Sequence, residues 1–164
     1  MSLPNPTNAD VKEAAVLLVD MLENGGLGLL TTADAGGAPH ATWMATVAAT
    51  GTGGIVTLTS PDSRKVRNIE ENPRTEWLFT RADKERLLYL SGESEIVESP
   101  SEIKRYWGLM REKDQAYFLN HFNSGMGFAI VLTQVNLVTM VFPKENRKVV
   151  ISPGDLWKTQ FGGS

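Results

Sequence analysis

Between Leu27 and Thr59 the chain alternates short apolar, threonine-rich stretches with turns built on glycine. Leu27 to Ala33 is one such stretch, His40 to Ala49 the next, and Ile55 to Thr59 the last. Asp34-Ala35-Gly36-Gly37-Ala38-Pro39 and Thr50 to Gly54 separate them, and both are turns by composition. This spacing predicts a meander of antiparallel hairpins. In the His40 to Ala49 stretch a strand period of two puts His40, Thr42, Met44 and Thr46 on one side. Ala41, Trp43, Ala45 and Val47 fall on the other.

The rest of the chain frames these strands. Val11, Ala14, Ala15, Leu18, Met21 and Leu22 recur at helical spacing, which predicts a helix over residues 8–24. Thr7 to Asp10 supply its cap and Asn24-Gly25-Gly26 its stop. Ser60 to Asn72 reads as a short helix closed by Pro73. Arg74 to Thr80 and Arg86 to Glu98 read as strands around an Ala82-Asp83-Lys84 turn, with Gly92 at a bulge or bend. Ser99 to Glu102 start a helix, and Ile103 to His121 is helical in one or two pieces, with Tyr106, Trp107 and Leu109 as packing residues. Phe128 to Thr133, Asn136 to Phe142 and Arg147 to Ile151 read as strands. The expected fold is mainly β (α+β), a six-stranded antiparallel barrel with flanking helices. It occupies 1–151 as a single domain, and 152–164 is a loosely held glycine-rich tail.

Composition removes whole classes of function. The chain has 164 residues, 41% of them hydrophobic and 21% charged, which suits one soluble globular domain. It has no cysteine, so disulfide scaffolds, thiolate metal sites and cysteine nucleophiles are excluded. With two histidines, His40 and His121, a metal site of several imidazoles is excluded too. A net charge of -3 argues against general nucleic-acid binding. No leader pattern and no apolar run long enough to span a bilayer stand out, so a cytoplasmic protein is expected. Gly-x-Ser-x-Gly elbows and Walker-type phosphate loops do not occur.

Chemistry shows most clearly from Thr59 to Asn68. There a strand ends and a helix begins with Arg64, Lys65 and Arg67 in its first turns. Cations are the wrong charge for a helix N-terminus, whose exposed N–H groups favour anions. An anion in the site removes the conflict. Open N–H groups, the hydroxyls of Thr59, Ser60 and Ser63 and the basic side chains together make a phosphate seat. The same residues also read as a solvated basic turn balanced by Glu70 and Glu71.

Thr59 to Phe79, with Ser63-Arg64-Lys65, Asn72-Pro73-Arg74 and Leu78-Phe79, resembles the pyridoxamine 5′-phosphate oxidase-like, FMN-binding split β-barrels. Leu27 to Thr32, Gly37-Ala38-Pro39-His40 and the strand into Thr59 follow the same order. Gly92-Glu93-Ser94-Glu95-Ile96-Val97 followed by a helix resembles the general-stress-protein branch. The resemblance implies a split barrel acting as a homodimer, with FMN at the subunit interface. It puts the FMN phosphate on Ser63, Arg64, Lys65 and Thr59. It puts the flavin ring or ribityl chain beside Thr42, Trp43 and Met44, with Trp107 as a neighbour from the partner subunit. The implied function is an FMN-dependent oxidoreductase with an unassigned small-molecule substrate. The alternative is a barrel that binds flavin, deazaflavin or haem for sensing or storage without turnover. The chain departs from the vitamin oxidases themselves. Thr42 and Val47 stand where those enzymes carry an Arg and a Lys, and their C-terminal Arg and His signature is not recognisable in Asn136 to Ser164.

Other candidates have plainer readings. Trp77 and Trp157 suit packing better than cofactor stacking. His40 reads as a strand-end histidine, or as a haem ligand if the barrel holds haem. His121 reads as part of a connector. Glu93 and Glu95 share one strand face, which suits solvent better than acid–base work.

Overall fold

The computed structural model describes residues 3–24, 27–121 and 127–161. Its elements, in chain order, are α1 (Asn8–Glu23), β1 (Gly28–Ala33), β2 (Pro39–Met44), β3 (Val47–Ala49), β4 (Gly54–Thr59) and α2 (Arg64–Glu71). Next come β5 (Arg74–Phe79), β6 (Leu87–Val97), α3 (Pro100–Trp107), α4 (Glu112–His121), β7 (Ala129–Phe142), β8 (Arg147–Ile151) and α5 (Pro153–Gln160). The strands run in the order β2-β1-β5-β6-β7-β4-β3, with β8 also on β7, and every pairing is antiparallel. The sheet is curled into a half-barrel with flanking helices, which is the expected split-barrel architecture.

Among the described residues it has eight strands rather than six. The expected strand from His40 to Ala49 is divided at Ala45 and Thr46. Before that corner β2 pairs with β1; after it β3 pairs with β4. The chain thereby steps from one edge of the sheet to the other. Thr46 fixes the step, because its carbonyl accepts from the Thr57 hydroxyl at 2.7 Å and the Leu58 amide at 3.4 Å. In the opposite sense, the two strands expected at Phe128–Thr133 and Asn136–Phe142 are one strand, β7. Its first half pairs with β4, its second half with β8, and β6 runs along its whole length. The shift in register that lets it serve both lies between Ser91 and Gly92.

Two apolar cores result. The first lies inside the curl, where Leu30, Ile55, Trp77, Phe79, Leu90 and Met140 meet the buried faces of α1 and α5. Within it, Trp77 Nε1 donates to Thr133 Oγ1 at 3.0 Å, and Thr133 and Thr75 each lie 2.6 Å from Ser94 Oγ. The indole and three hydroxyls satisfy one another, as buried polar groups require. The second core covers the outer face of β4 and β7, where Val56, Leu58 and Ile130 meet Tyr106 of α3, Met110 of the link after it and Phe118 of α4.

The C-terminal segment is not a loose tail through Phe161. Ser152 caps α5 by accepting from the Asp155 amide, and Pro153 occupies its first turn. Leu156 and Trp157 are buried, and Trp157 Nε1 donates to Thr50 O at 2.8 Å. At the other end, α1 begins with the expected capping residues: Thr7 and Asp10 form a reciprocal box. Asn24 closes it, its backbone N–H donating a hydrogen bond to Asp20 O, and the rest of the expected stop, Gly25-Gly26, lies outside the described residues.

Asp10 also fastens α1 to the barrel. It is buried and accepts from both Arg147 guanidinium nitrogens at 3.1 Å, while that guanidinium stacks over Phe142 at 3.7 Å. Arg147 holds the Asp10 carboxyl below the ordinary 3.8, against the opposing effect of burial. A lowered folded pKa stabilises the fold at pH values above the unfolded pKa, and that contribution is lost as pH falls through the folded value. Asp10→Asn is therefore expected to lower stability at pH 7 by about 1 kcal/mol or more, from the weakened cap and the lost charge pair. In urea unfolding the gap from wild type should close as the pH drops below the ordinary aspartate value. A gap that persists unchanged in acid would contradict this.

Candidate functional site

β2 is hydrogen-bonded on one side only, to β1. Where its end diverges from the end of β4, the sheet leaves a seam, and a cavity of about 300 Å³ opens there. β2 and the corner after it contribute Thr42, Trp43, Met44, Ala45 and Thr46. The end of β4 and the turn into α2 contribute Leu58, Thr59, Ser60 and Ser63, and α2 contributes Lys65. Leu27 stands on a third side, and Tyr117 and Phe118 of α4 on a fourth.

Part of the lining is a polar cluster. Thr59 Oγ1 is its centre, 3.3 Å from Ser63 Oγ and 3.2 Å from Lys65 Nζ, which donates to it. Ser63 occupies the N-cap position of α2, yet its side chain does not cap the helix, and no acidic residue lies in the first turn. The positive end of α2 therefore meets a lysine with no carboxylate between them. Lys65 is half-buried, and burial pushes its pKa below the ordinary lysine value. Ser60 donates to the Asp62 carboxylate, which lowers the Asp62 pKa, and Asp62 is exposed. The apolar and aromatic part of the lining is Trp43, Met44, Leu58, Tyr117 and Phe118.

Six of the residues expected to hold a cofactor thus line one cavity: Thr42, Trp43, Met44, Thr59, Ser63 and Lys65. Arg64 is exposed and does not line it. Arg67 turns back to donate to Asp62 O at 2.9 Å. Trp107 is outside the cavity of its own chain and packs on Phe128 with ring centroids 4.9 Å apart. Neither histidine lines it. His40 Nε2 lies 3.1 Å from Thr42 Oγ1, and the ring of His121 stacks on Tyr117. Trp77 and Trp157 are core residues.

Leu27, Ala45, Thr46, Leu58, Tyr117 and Phe118 also line the cavity and were not legible as site residues. Thr46 shares the strand face of Thr42 and Met44, which was a usable signal. Tyr117 and Phe118 sit in the most apolar stretch of α4, Ala116 to Leu119, but nothing local says which way that helix turns. A slightly larger cleft, about 350 Å³, lies at the bulge, lined by Pro73, Glu93, Ser94, Glu95, Leu132 and Gln134. Glu93 and Glu95 are exposed there, and no cation lines it. The seam cavity has the richer chemistry.

The sequence matches the profile of the pyridoxamine 5′-phosphate oxidase family over residues 17–138. The chain belongs to this family. The matched span runs from α1 to the middle of β7 and includes every residue that lines the seam cavity. No curated protein matches the sequence. Solved structures share the family fold at low identity. A haem-binding protein from Mycobacterium smegmatis superposes with a TM-score of 0.69 at 18% identity, over 94% of this chain and 62% of its own. The chain thus spans less than two thirds of that protein. A protein related to general stress protein 26 from Clostridium acetobutylicum superposes with a TM-score of 0.69 at 13% identity, over 88% of this chain and 98% of its own. The general stress protein 26 of Bacillus anthracis gives 0.60 at 17%, over 86% and 98%. Among the described residues, no helix is long and apolar enough to cross a membrane.

Proposed function

We propose that this protein is an FMN-binding oxidoreductase, acting on a small-molecule substrate. One observation carries the reading: a single cavity is lined both by a lysine clustered with hydroxyls at an uncapped helix start and by aromatic and apolar side chains. That donor set fits a molecule with a phosphate at one end and a flat ring at the other. Lys65, Thr59 and Ser63 would hold the phosphate. Trp43, Met44 and Leu58 would exclude water from the ring, and Thr42 and Thr46 would orient its polar edge. A bound flavin supplies electron or hydride transfer between a reduced donor, such as a nicotinamide, and an oxidised acceptor; the protein's part is to bind, orient and tune. Haem suits the same cavity less well, because neither histidine lines it.

Leu27 and Trp43, 44% and 54% exposed, form an apolar rim to the cavity. We read this rim as part of a homodimer interface that covers the ring. Reduced nicotinamide added without oxygen to the flavin-loaded protein should bleach the flavin absorbance, and sedimentation should give twice the 18.0 kDa chain mass. A flavin that stays oxidised with every nicotinamide donor would favour binding without turnover. A monomer would contradict the dimer.

A further inference from the structure

Tyr117 belongs to a wall of the cavity that neither β2 nor the turn into α2 supplies. Its helix, α4, is held from several sides. Arg111, just before it, makes a paired contact to Asp114 at 2.6 and 3.0 Å and also donates to Glu23 O of α1. Gln115 Nε2 donates to Trp107 O at 2.9 Å. Phe118 is buried, with its ring edge-on to Phe128 at 5.8 Å, and Trp107 packs on the same phenylalanine. With Phe118 fixed inward, its neighbour Tyr117 is turned about a quarter of the way round the helix. That position lines the cavity while the residue stays 42% exposed. His121, one turn on, stacks on the phenol ring with centroids 4.4 Å apart, and its Nδ1 lies 2.9 Å from Tyr117 O.

The same cavity is lined on β2 by Trp43, which is more exposed still. Two large, partly exposed aromatic side chains from distant parts of the chain therefore line one cavity. A flat ligand packed against them would bury part of that aromatic surface. Resting on the FMN reading above, we propose that Tyr117 packs on the flavin ring and, with Trp43, selects for a flat aromatic ligand. This division of labour separates it from Lys65. Tyr117 reads the ring and is indifferent to the phosphate, whereas Lys65 reads the phosphate.

Riboflavin, which has the ring and lacks the phosphate, tests this beside FMN. Tyr117→Ala should weaken both ligands by the same factor, about tenfold, and Tyr117→Phe should bind them as the wild type does. Tyr117→Leu keeps apolar bulk on α4 and should lose binding as the alanine variant does. Fluorescence of the flavin that remains bound should rise in the alanine and leucine variants, because an adjacent phenol quenches it. Wild-type affinity and fluorescence in Tyr117→Leu would overturn the proposal and leave the FMN reading standing. A loss for FMN alone would also overturn it, by giving Tyr117 a phosphate role. A wild-type protein that binds neither flavin would overturn both.

Discussion

Gly92→Ala is expected to destabilise the barrel by about 3 kcal/mol or more, the upper range for forcing extra volume into a packed site. A β-carbon at this position would lie 2.0 Å from the carbonyl oxygen of Gln134 and 3.1 Å from Val135 Cα. Both are backbone atoms of β7, so no rotamer change relieves the clash. The two strands would have to separate at the one place where their register shifts. The damage would spread, since β7 past this point changes partner from β4 to β8. For a domain of this size the melting temperature should fall by roughly 10 °C. Gly51→Ala is the control: an added β-carbon there meets nothing within 4 Å, and its melting temperature should stay near that of the wild type. A Gly92→Ala protein that melts with the wild type would contradict the close approach of β6 and β7.

Lys65→Ala is expected to weaken FMN binding by roughly 1.5–3 kcal/mol, about 10- to 150-fold, the usual value of a hydrogen bond to a charged group. Lys65 is half-buried and its ammonium already lies in the polar cluster of the lining, 3.2 Å from Thr59 Oγ1. Arg64→Ala should cost much less, because Arg64 is exposed and its contribution is screened by solvent. Riboflavin affinity should be unchanged in both variants. Fluorescence titration of the two ligands separates these outcomes. Equal losses for Arg64→Ala and Lys65→Ala would mean that the seat is a diffuse basic patch rather than the Thr59–Ser63–Lys65 cluster.

The contrast between these two cations marks the limit of what the sequence could say. Ser63-Arg64-Lys65 pointed to a candidate phosphate seat, but residues side by side at a helix start point about 100° apart, and spacing alone does not say which one turns inward. The strands were legible because alternation and glycine-rich turns are local signals, and Gly92 was legible as a bulge for the same reason. The corner at Ala45 and Thr46 was not. Small and β-branched residues continue through it, and the step is held by Thr57 and Leu58, which are distant in sequence. The C-terminal helix was hidden by Gly154 and the two glycines that follow Phe161 in the sequence, although Ser152-Pro153-Gly154-Asp155 is a helix-start signature. Trp107 and Tyr117 show the same effect at the site. Both are aromatic residues of the α3–α4 segment, but the packing of Phe118 and Trp107 on Phe128 decides that Tyr117 lines the cavity.

The central claim is that the seam cavity holds FMN. An absorbance spectrum of the purified protein, taken before and after adding FMN and removing the excess, tests it most directly. The account predicts flavin bands that stay with the protein and are lost on Lys65→Ala. A protein that retains no flavin, or one that carries a Soret band instead, would contradict it.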